Sequence, residues 1–227
     1  MQKRPIVISV GGSLIVPNEI DSKFIRNFKR LVIDQSKKGK KFVVVTGGGI
    51  LARKYNEALK AATKTSYKDL DWMGINTTWL NAKFLQLAFG NYAYPEVIKD
   101  PANLPKTSRP VIVCGGWKPG RSSDGAMIKY AQNCGTKTAI NLSNIDYVYE
   151  KDPKKFPGAK ILKNMSWKDF RKIVGKKWRP GSNLPFDPTA AKDADLSGIT
   201  VIIARGSNLR NLKNILNGKD FIGTTIS

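Results

Sequence analysis

Three glycine clusters carry the chemistry most readily read from this chain. Gly11-Gly12-Ser13, Gly47-Gly48-Gly49 and Gly115-Gly116 each stand directly after a short apolar, β-branched run. Glycine lets a backbone come close to a phosphate, and successive N–H groups form a nest for an anion. The second cluster also precedes a helical pattern, so its amides and a helix N-terminus converge on one spot. Arg53 lies one turn inside that helix and can reach the same anion. The third cluster continues as Trp117-Lys118-Pro119-Gly120-Arg121-Ser122-Ser123-Asp124, joining hydroxyls, cations and a carboxylate in one loop. Taken singly, a plain turn explains the first cluster and a tight strand-to-helix turn the second. The third holds more functional groups than a structural loop requires. Neither G-x-x-x-x-G-K-[ST] nor G-x-G-x-x-G occurs, which excludes the P-loop and the dinucleotide fingerprint. Separate glycine loops point instead to a phosphate chain held from several sides.

The chain contains no histidine and only two cysteines, Cys114 and Cys134. Imidazole acid–base chemistry and histidine-ligated metal sites are excluded, and no metal-binding residues are assigned. Two isolated cysteines in a chain of this length fit a reduced, cytoplasmic protein and not a disulfide framework. Cys114, at a strand end, is expected to be a small buried hydrophobe.

The elements that must position these loops alternate between two patterns. Strand-like runs are expected at Ile6–Val10, Phe42–Thr46, Val111–Cys114, Thr138–Leu142, Val201–Ala204 and Gly223–Ile226. Helices are expected from Asp21 to about Lys38, Ile50 to Ala62, Lys68 to Phe89, Asp124 to Asn133, Ser166 to Val174, Asp187 onward, and Asn208 to Leu216. Caps support the assignments: Ser166 with Asp169 three residues on, and Asp187 followed by proline at the first helical position. On the Lys68–Phe89 helix, Trp72, Ile75, Trp79 and Leu80 fall at helical spacing. The two tryptophans are expected in the core or a subunit contact. Tyr147–Lys163 reads as a short hairpin-like or looped stretch and 176–185 as a basic loop. This alternation predicts an α/β fold, a three-layer α/β/α sandwich around a mainly parallel sheet. In such sheets ligands bind beyond the carboxyl ends of the strands, so the glycine loops should converge on that edge.

At 227 residues, 41% hydrophobic and 25% charged, the chain suits one globular domain. It contains no apolar run of about 18 residues that would span a membrane. The 39 basic and 17 acidic residues give a net charge of +22. Such a balance attracts polyanions in general. The basic residues are scattered, with tight clusters only at Lys37–Lys41 and 176–179, and no recognition module accompanies them. Weak, salt-sensitive adhesion to nucleic acid without specific binding is therefore expected. Lys37–Lys41 is read as a solvated helix end.

The order Val10-Gly-Gly-Ser13, Thr46-Gly-Gly-Gly-Ile-Leu-Ala-Arg53-Lys-Tyr55, Asp71-Trp-Met-Gly74-Ile75 and Gly115-Gly116 through Ser122-Ser123-Asp124 resembles the archaeal-type uridylate (UMP) kinases of the amino-acid-kinase fold. Ser143-Asn144-Ile145-Asp146-Tyr147-Val148-Tyr149-Glu150-Lys151-Asp152-Pro153, Phe186-Asp187-Pro188-Thr189-Ala190-Ala191-Lys192 and the ending Gly223-Thr224-Thr225-Ile226 continue the resemblance along essentially the whole chain. It implies transfer of the γ-phosphoryl group of ATP, with Mg²⁺, to UMP. It also implies an acceptor lobe over about 1–135, an ATP lobe over about 136–227, and a homohexamer. Gly11, Gly12, Ser13, Gly49, Arg53, Ser143, Asn144, Tyr149 and Asp152 would hold ATP. Gly48, Asp71 and the loop Trp117, Lys118, Pro119, Gly120, Arg121, Ser122 and Ser123 would hold UMP, Asp71 on the ribose and Ser123 on the phosphate. Arg53, Asp124 and Lys192 would organise and neutralise the transferring group. A UMP phosphate is already ionised at neutral pH, so the missing histidine is no obstacle.

The departures are local. Ser9 stands where many amino-acid kinases carry lysine, a feature shared with the archaeal UMP kinases. Ser143 replaces a usual threonine, Tyr147 a glycine and Trp117 a threonine, while Ser122-Ser123 keeps both hydroxyls of a threonine pair. Another acceptor within the same fold remains an alternative. Isopentenyl phosphate kinases, however, rely on a site histidine, and acetylglutamate kinases use the lysine replaced by Ser9. A non-catalytic basic nucleotide- or RNA-binding protein is the alternative from another class.

Overall fold

The structure, a computed structural model, describes residues 4–153, 155–175 and 184–227. The basic segment expected as a loop at 176–185 therefore lies largely outside the described residues. Short, nearly continuous apolar runs build the central sheet. Strands β1 (Ile6–Val10), β2 (Phe42–Thr46), β3 (Val111–Cys114) and β4 (Thr138–Ser143) pair in parallel. The two-residue strands β5 (Val148–Tyr149) and β6 (Ile161–Leu162) form a separate antiparallel hairpin, where a short hairpin-like or looped stretch was expected. Strands β7 (Asn164–Met165), β8 (Thr200–Arg205) and β9 (Thr224–Ile226) complete the main sheet, ordered β3-β2-β1-β4-β8-β9-β7. Only the β8–β9 pairing is antiparallel, so the sheet is mainly parallel as expected.

The two faces bury different residues of the same strands. Val7, Val43 and Val45 face a core with α5 (Ser123–Asn133), α6 (Trp167–Val174) and α7 (Pro188–Leu196). Ile8, Val10, Phe42 and Val44 face the opposite core, built with α1 (Gly12–Ile15), α2 (Ser22–Ser36), α4 (Tyr67–Phe89) and α8 (Leu209–Leu216). This is the three-layer sandwich, and strands buried on both faces read as continuous apolar runs for that reason. The helix α3 (Gly49–Ala62) buries no residue fully and packs chiefly on α4, which leaves one side of it for a cleft.

Caps set the helix starts. Asp21 accepts from Phe24 N at 2.8 Å. Ser66 and Asp69 form a reciprocal capping box at the start of α4, which places that start at Tyr67, one residue before the expected Lys68. Ser166 caps α6 through Asp169 N, and Asp187 caps α7 ahead of Pro188.

Two expectations about surfaces are narrowed. On α4 the buried stripe is Leu70, Ile75, Thr78, Ala82, Leu85 and Phe89, whereas Trp72 and Leu80 are 38% and 58% exposed. Trp72 is therefore not in the core, which leaves the subunit contact for it, and the polar Thr78 and Asn81 point inward on this helix. Lys40 is not merely solvated: its Nζ donates to Gln35 Oε1 at 2.6 Å and to Leu216 O, tying the end of α2 to the end of α8. Cys114 is fully buried, and burial raises its thiol well above the usual range.

Candidate active site

The strand order reverses beside β1: the chain runs outward to β2 and β3, then returns to β4 on the other side. Crevices at such switch points bind ligands. Gly11 follows β1 and its N–H donates to Leu142 O on β4 at 3.1 Å, so the first glycine cluster sits at this crevice. Ser143 and Asn144 end β4 beside it, with Ser143 Oγ 3.4 Å from Asn144 Oδ1.

The first two glycine loops touch backbone to backbone. A Cβ on Gly12 would lie 2.3 Å from Gly49 N, and one on Gly49, at φ +62°, would lie 2.4 Å from the Gly12 carbonyl carbon. No side chain larger than hydrogen fits at either position. The glycine requirement is therefore steric as well as conformational. Gly48 caps α3 with no side-chain bond to the helix amides, which leaves those donors for an anion.

A cleft of about 450 Å³ opens from this junction between α3 and α4. Gly48, Gly49, Arg53, Asp71, Arg121, Ser122, Ser123 and Asp124 all line it. Residues from three separate sequence segments, expected to act together, are thus brought together. Arg53 is exposed into the cleft mouth one turn from Gly49. The Asp71 carboxylate accepts from Gly120 N at 2.7 Å, which fastens the third loop over the cleft.

The remaining expected residues stand elsewhere. Trp117 packs on the core behind the loop, with Lys118 Nζ 4.1 Å from its ring centre. Tyr149 lies in β5 and Asp152 in the turn that follows it. Lys192 is exposed on α7 and does not line the cleft.

Asp124 opens α5, whose N-cap Ser122 accepts from Gly125 N at 3.1 Å. One Asp124 oxygen accepts from Asp187 N at 3.0 Å. Withdrawal from water pushes the Asp124 carboxyl up to about 7; the Asp187 N–H opposes that shift and the Asp187 carboxylate adds to it. A carboxylate so poised responds strongly to cations brought in by a ligand.

Several supporting residues escaped the sequence reading. Thr78 Oγ1 accepts from Gly116 N at 2.6 Å and donates to Ile75 O at 2.7 Å. Asn81 Nδ2 holds Gly47 O at 2.8 Å. Trp79 Nε1 donates to Gly116 O at 2.8 Å, so this tryptophan brackets the third glycine loop and is not a core residue. Asn56, Glu57, Lys60 and Tyr67 extend the cleft wall. Inward-pointing threonine and asparagine within an otherwise apolar helix were the available signal. Their partners lie 32 to 38 residues away, beyond any local pattern.

Comparison with known proteins agrees with this fold. Residues 4–205 match the amino acid kinase family. The uridylate kinase of Thermoplasma volcanium is 34% identical over 224 residues, covering 97% of this chain and 96% of its own. That of Pyrococcus abyssi is 35% identical over 226 residues, covering 97% and 98%. The crystal structure of uridylate kinase from Archaeoglobus fulgidus superposes with a TM-score of 0.84 at 31% identity, covering 98% of this chain and all of the other. The chain belongs to the amino acid kinase family and, within it, groups with the archaeal uridylate kinases.

Proposed function

We propose that this protein transfers the γ-phosphoryl group of MgATP to UMP, giving UDP and ADP. The observation that carries this reading is the contact between the Gly11–Ser13 and Gly47–Gly49 loops. It sets an anion nest at the sheet crevice directly against the phosphate end of the α3–α4 cleft. Two phosphate groups held on either side of that contact would face each other for in-line transfer. The full-length likeness to uridylate kinases supports UMP as the acceptor.

In this arrangement UMP lies in the cleft with its ribose on Asp71 and its phosphate among Gly48, Ser122 and Ser123. The third loop, Trp117 to Arg121, closes over it. ATP lies along the C-terminal lobe, with phosphates at Gly11, Gly12, Ser13 and Gly49, and Ser143, Asn144, Tyr149 and Asp152 around the nucleotide. Arg53 neutralises the charge that builds up between the two phosphates. Asp124 organises that region, and Lys192 supplies a cation from α7 once the nucleotides are bound. Catalysis by positioning and charge relief needs no general base, because the attacking phosphate oxygen is already ionised.

Mg²⁺ enters with ATP as part of the substrate. Among the described residues no group of three or more acidic, histidine or cysteine side chains could hold a metal. A cation carried on phosphate oxygens keeps several waters and takes only one or two carboxylates from a protein. Leu80 and Leu87, two turns apart and exposed on α4, support a subunit contact; the homohexamer is what the resemblance to the family implies. A monomer by light scattering would contradict that assembly. The reaction is assigned to the cytoplasm from the two free cysteines. A panel of acceptors, including UMP, CMP, isopentenyl phosphate and acetylglutamate, assayed for ADP release tests the substrate: UMP should be preferred, and a preference for a non-nucleotide acceptor would overturn it.

A further inference from the structure

Asp187 has a place in the molecule that capping a helix does not account for. It is buried, with 4% exposure. A buried carboxylate is costly unless its oxygens are satisfied. Oδ1 accepts from Thr189 N at 2.6 Å, which is the cap of α7. Oδ2 accepts from the hydroxyl of Ser122, the N-cap of α5. The Asp187 N–H itself donates to Asp124 Oδ2 at 3.0 Å. One residue of the C-terminal lobe thus grips both the start of α5 and the carboxylate that opens it. A second tie between the same two segments, Arg121 to Asp193 at 2.5 Å, lies farther along α7.

We propose that Asp187 is a positioning residue for phosphoryl transfer, locking Asp124 and the Ser122–Ser123 hydroxyls of the acceptor side to α7 of the ATP side. The inference rests on the placement of Asp124 and Ser123 in the reacting region. Its chemistry is geometric: the side chain bonds Ser122, and that bond holds the Asp187 backbone where its N–H meets Asp124. Loss of the Ser122 bond would let α5 and α7 shift relative to one another, and misplacement of about 1 Å can cost on the order of a hundred-fold in rate.

Three variants separate positioning from capping. Serine is a good N-cap but is too short to reach across to Ser122. Asparagine keeps the cap and the reach, since its amide can donate to the Ser122 hydroxyl. Asp187→Ser is expected to lower kcat about ten-fold to a hundred-fold, with KM for ATP unchanged and a folded protein by circular dichroism. Asp187→Asn should restore most of the lost kcat. Asp187→Ser with wild-type kcat would overturn the proposal and leave Asp187 as a helix cap. Asp124→Asn is measured in parallel. If it retains full kcat, the placement of Asp124 fails and the proposal falls with it; if it is impaired while Asp187→Ser is not, only the proposal falls.

Discussion

Replacing Asp71 with alanine isolates recognition of the acceptor ribose. The side chain is half-buried at the cleft wall, and its Oδ2 accepts from Gly120 N at 2.7 Å. Its other oxygen remains for a ribose hydroxyl. A hydrogen bond to a charged group contributes about 1.5–3 kcal/mol, and about 1.4 kcal/mol corresponds to a ten-fold change in affinity. Partial exposure places Asp71 at the lower end, so Asp71→Ala should raise KM for UMP roughly ten- to thirty-fold, with KM for ATP unchanged. The substitution also frees the Gly120 loop, which could itself weaken binding. Comparison of UMP with dUMP by steady-state ADP release separates the two effects. The wild type should discriminate against dUMP, and Asp71→Ala should lose that discrimination. A raised KM with the UMP/dUMP ratio intact would show that Asp71 acts through the loop alone. An unchanged KM for UMP would refute its placement on the acceptor.

Arg53→Ala should depress kcat strongly, by about a hundred-fold or more, without altering thermal stability, because the side chain is exposed and α3 buries no residue fully; unchanged turnover removes it from the site. Gly12→Ala forces a methyl to within 2.3 Å of the Gly49 amide, so circular dichroism and turnover together should show either a displaced junction with negligible activity or a failure to fold. Asp124 gives a pH dependence with a definite sign. Its folded pKa, about 7, lies above the ordinary 3.8, so the folded protein binds this proton more tightly. The stability it contributes is fully present below about pH 4 and is lost as pH rises through about 7. Urea unfolding of the ligand-free protein at pH 5 and pH 8 should show that loss, and Asp124→Asn should reduce it.

Much of the architecture was legible because its signals are local. Continuous apolar runs gave the buried parallel strands, and Ser166 with Asp169, or Asp187 with Pro188, marked helix starts by side-chain chemistry that needs only a few neighbouring residues. The glycine clusters marked the sheet edge because each follows a strand. What could not be read were the long-range supports. Thr78, Trp79 and Asn81 fix the backbone of two glycine loops through single hydrogen bonds. Nothing in the helical spacing of α4 distinguishes a polar group that holds a distant carbonyl from one that faces water. The outward turn of Trp72 and Leu80 follows from the same inward threonine and asparagine. The grip of Asp187 on Ser122 joins residues 65 apart and was likewise hidden behind its evident role as a cap.

The most direct test of the central claim is to follow the phosphoryl group itself. ATP labelled in its γ-phosphate is incubated with Mg²⁺, UMP and the purified protein, and the products are separated. Transfer requires label to appear in the β-phosphate of UDP, with one ADP formed for each UDP and no label released as inorganic phosphate. Nucleotide binding with no labelled UDP, or release of label to water independent of UMP, would contradict it.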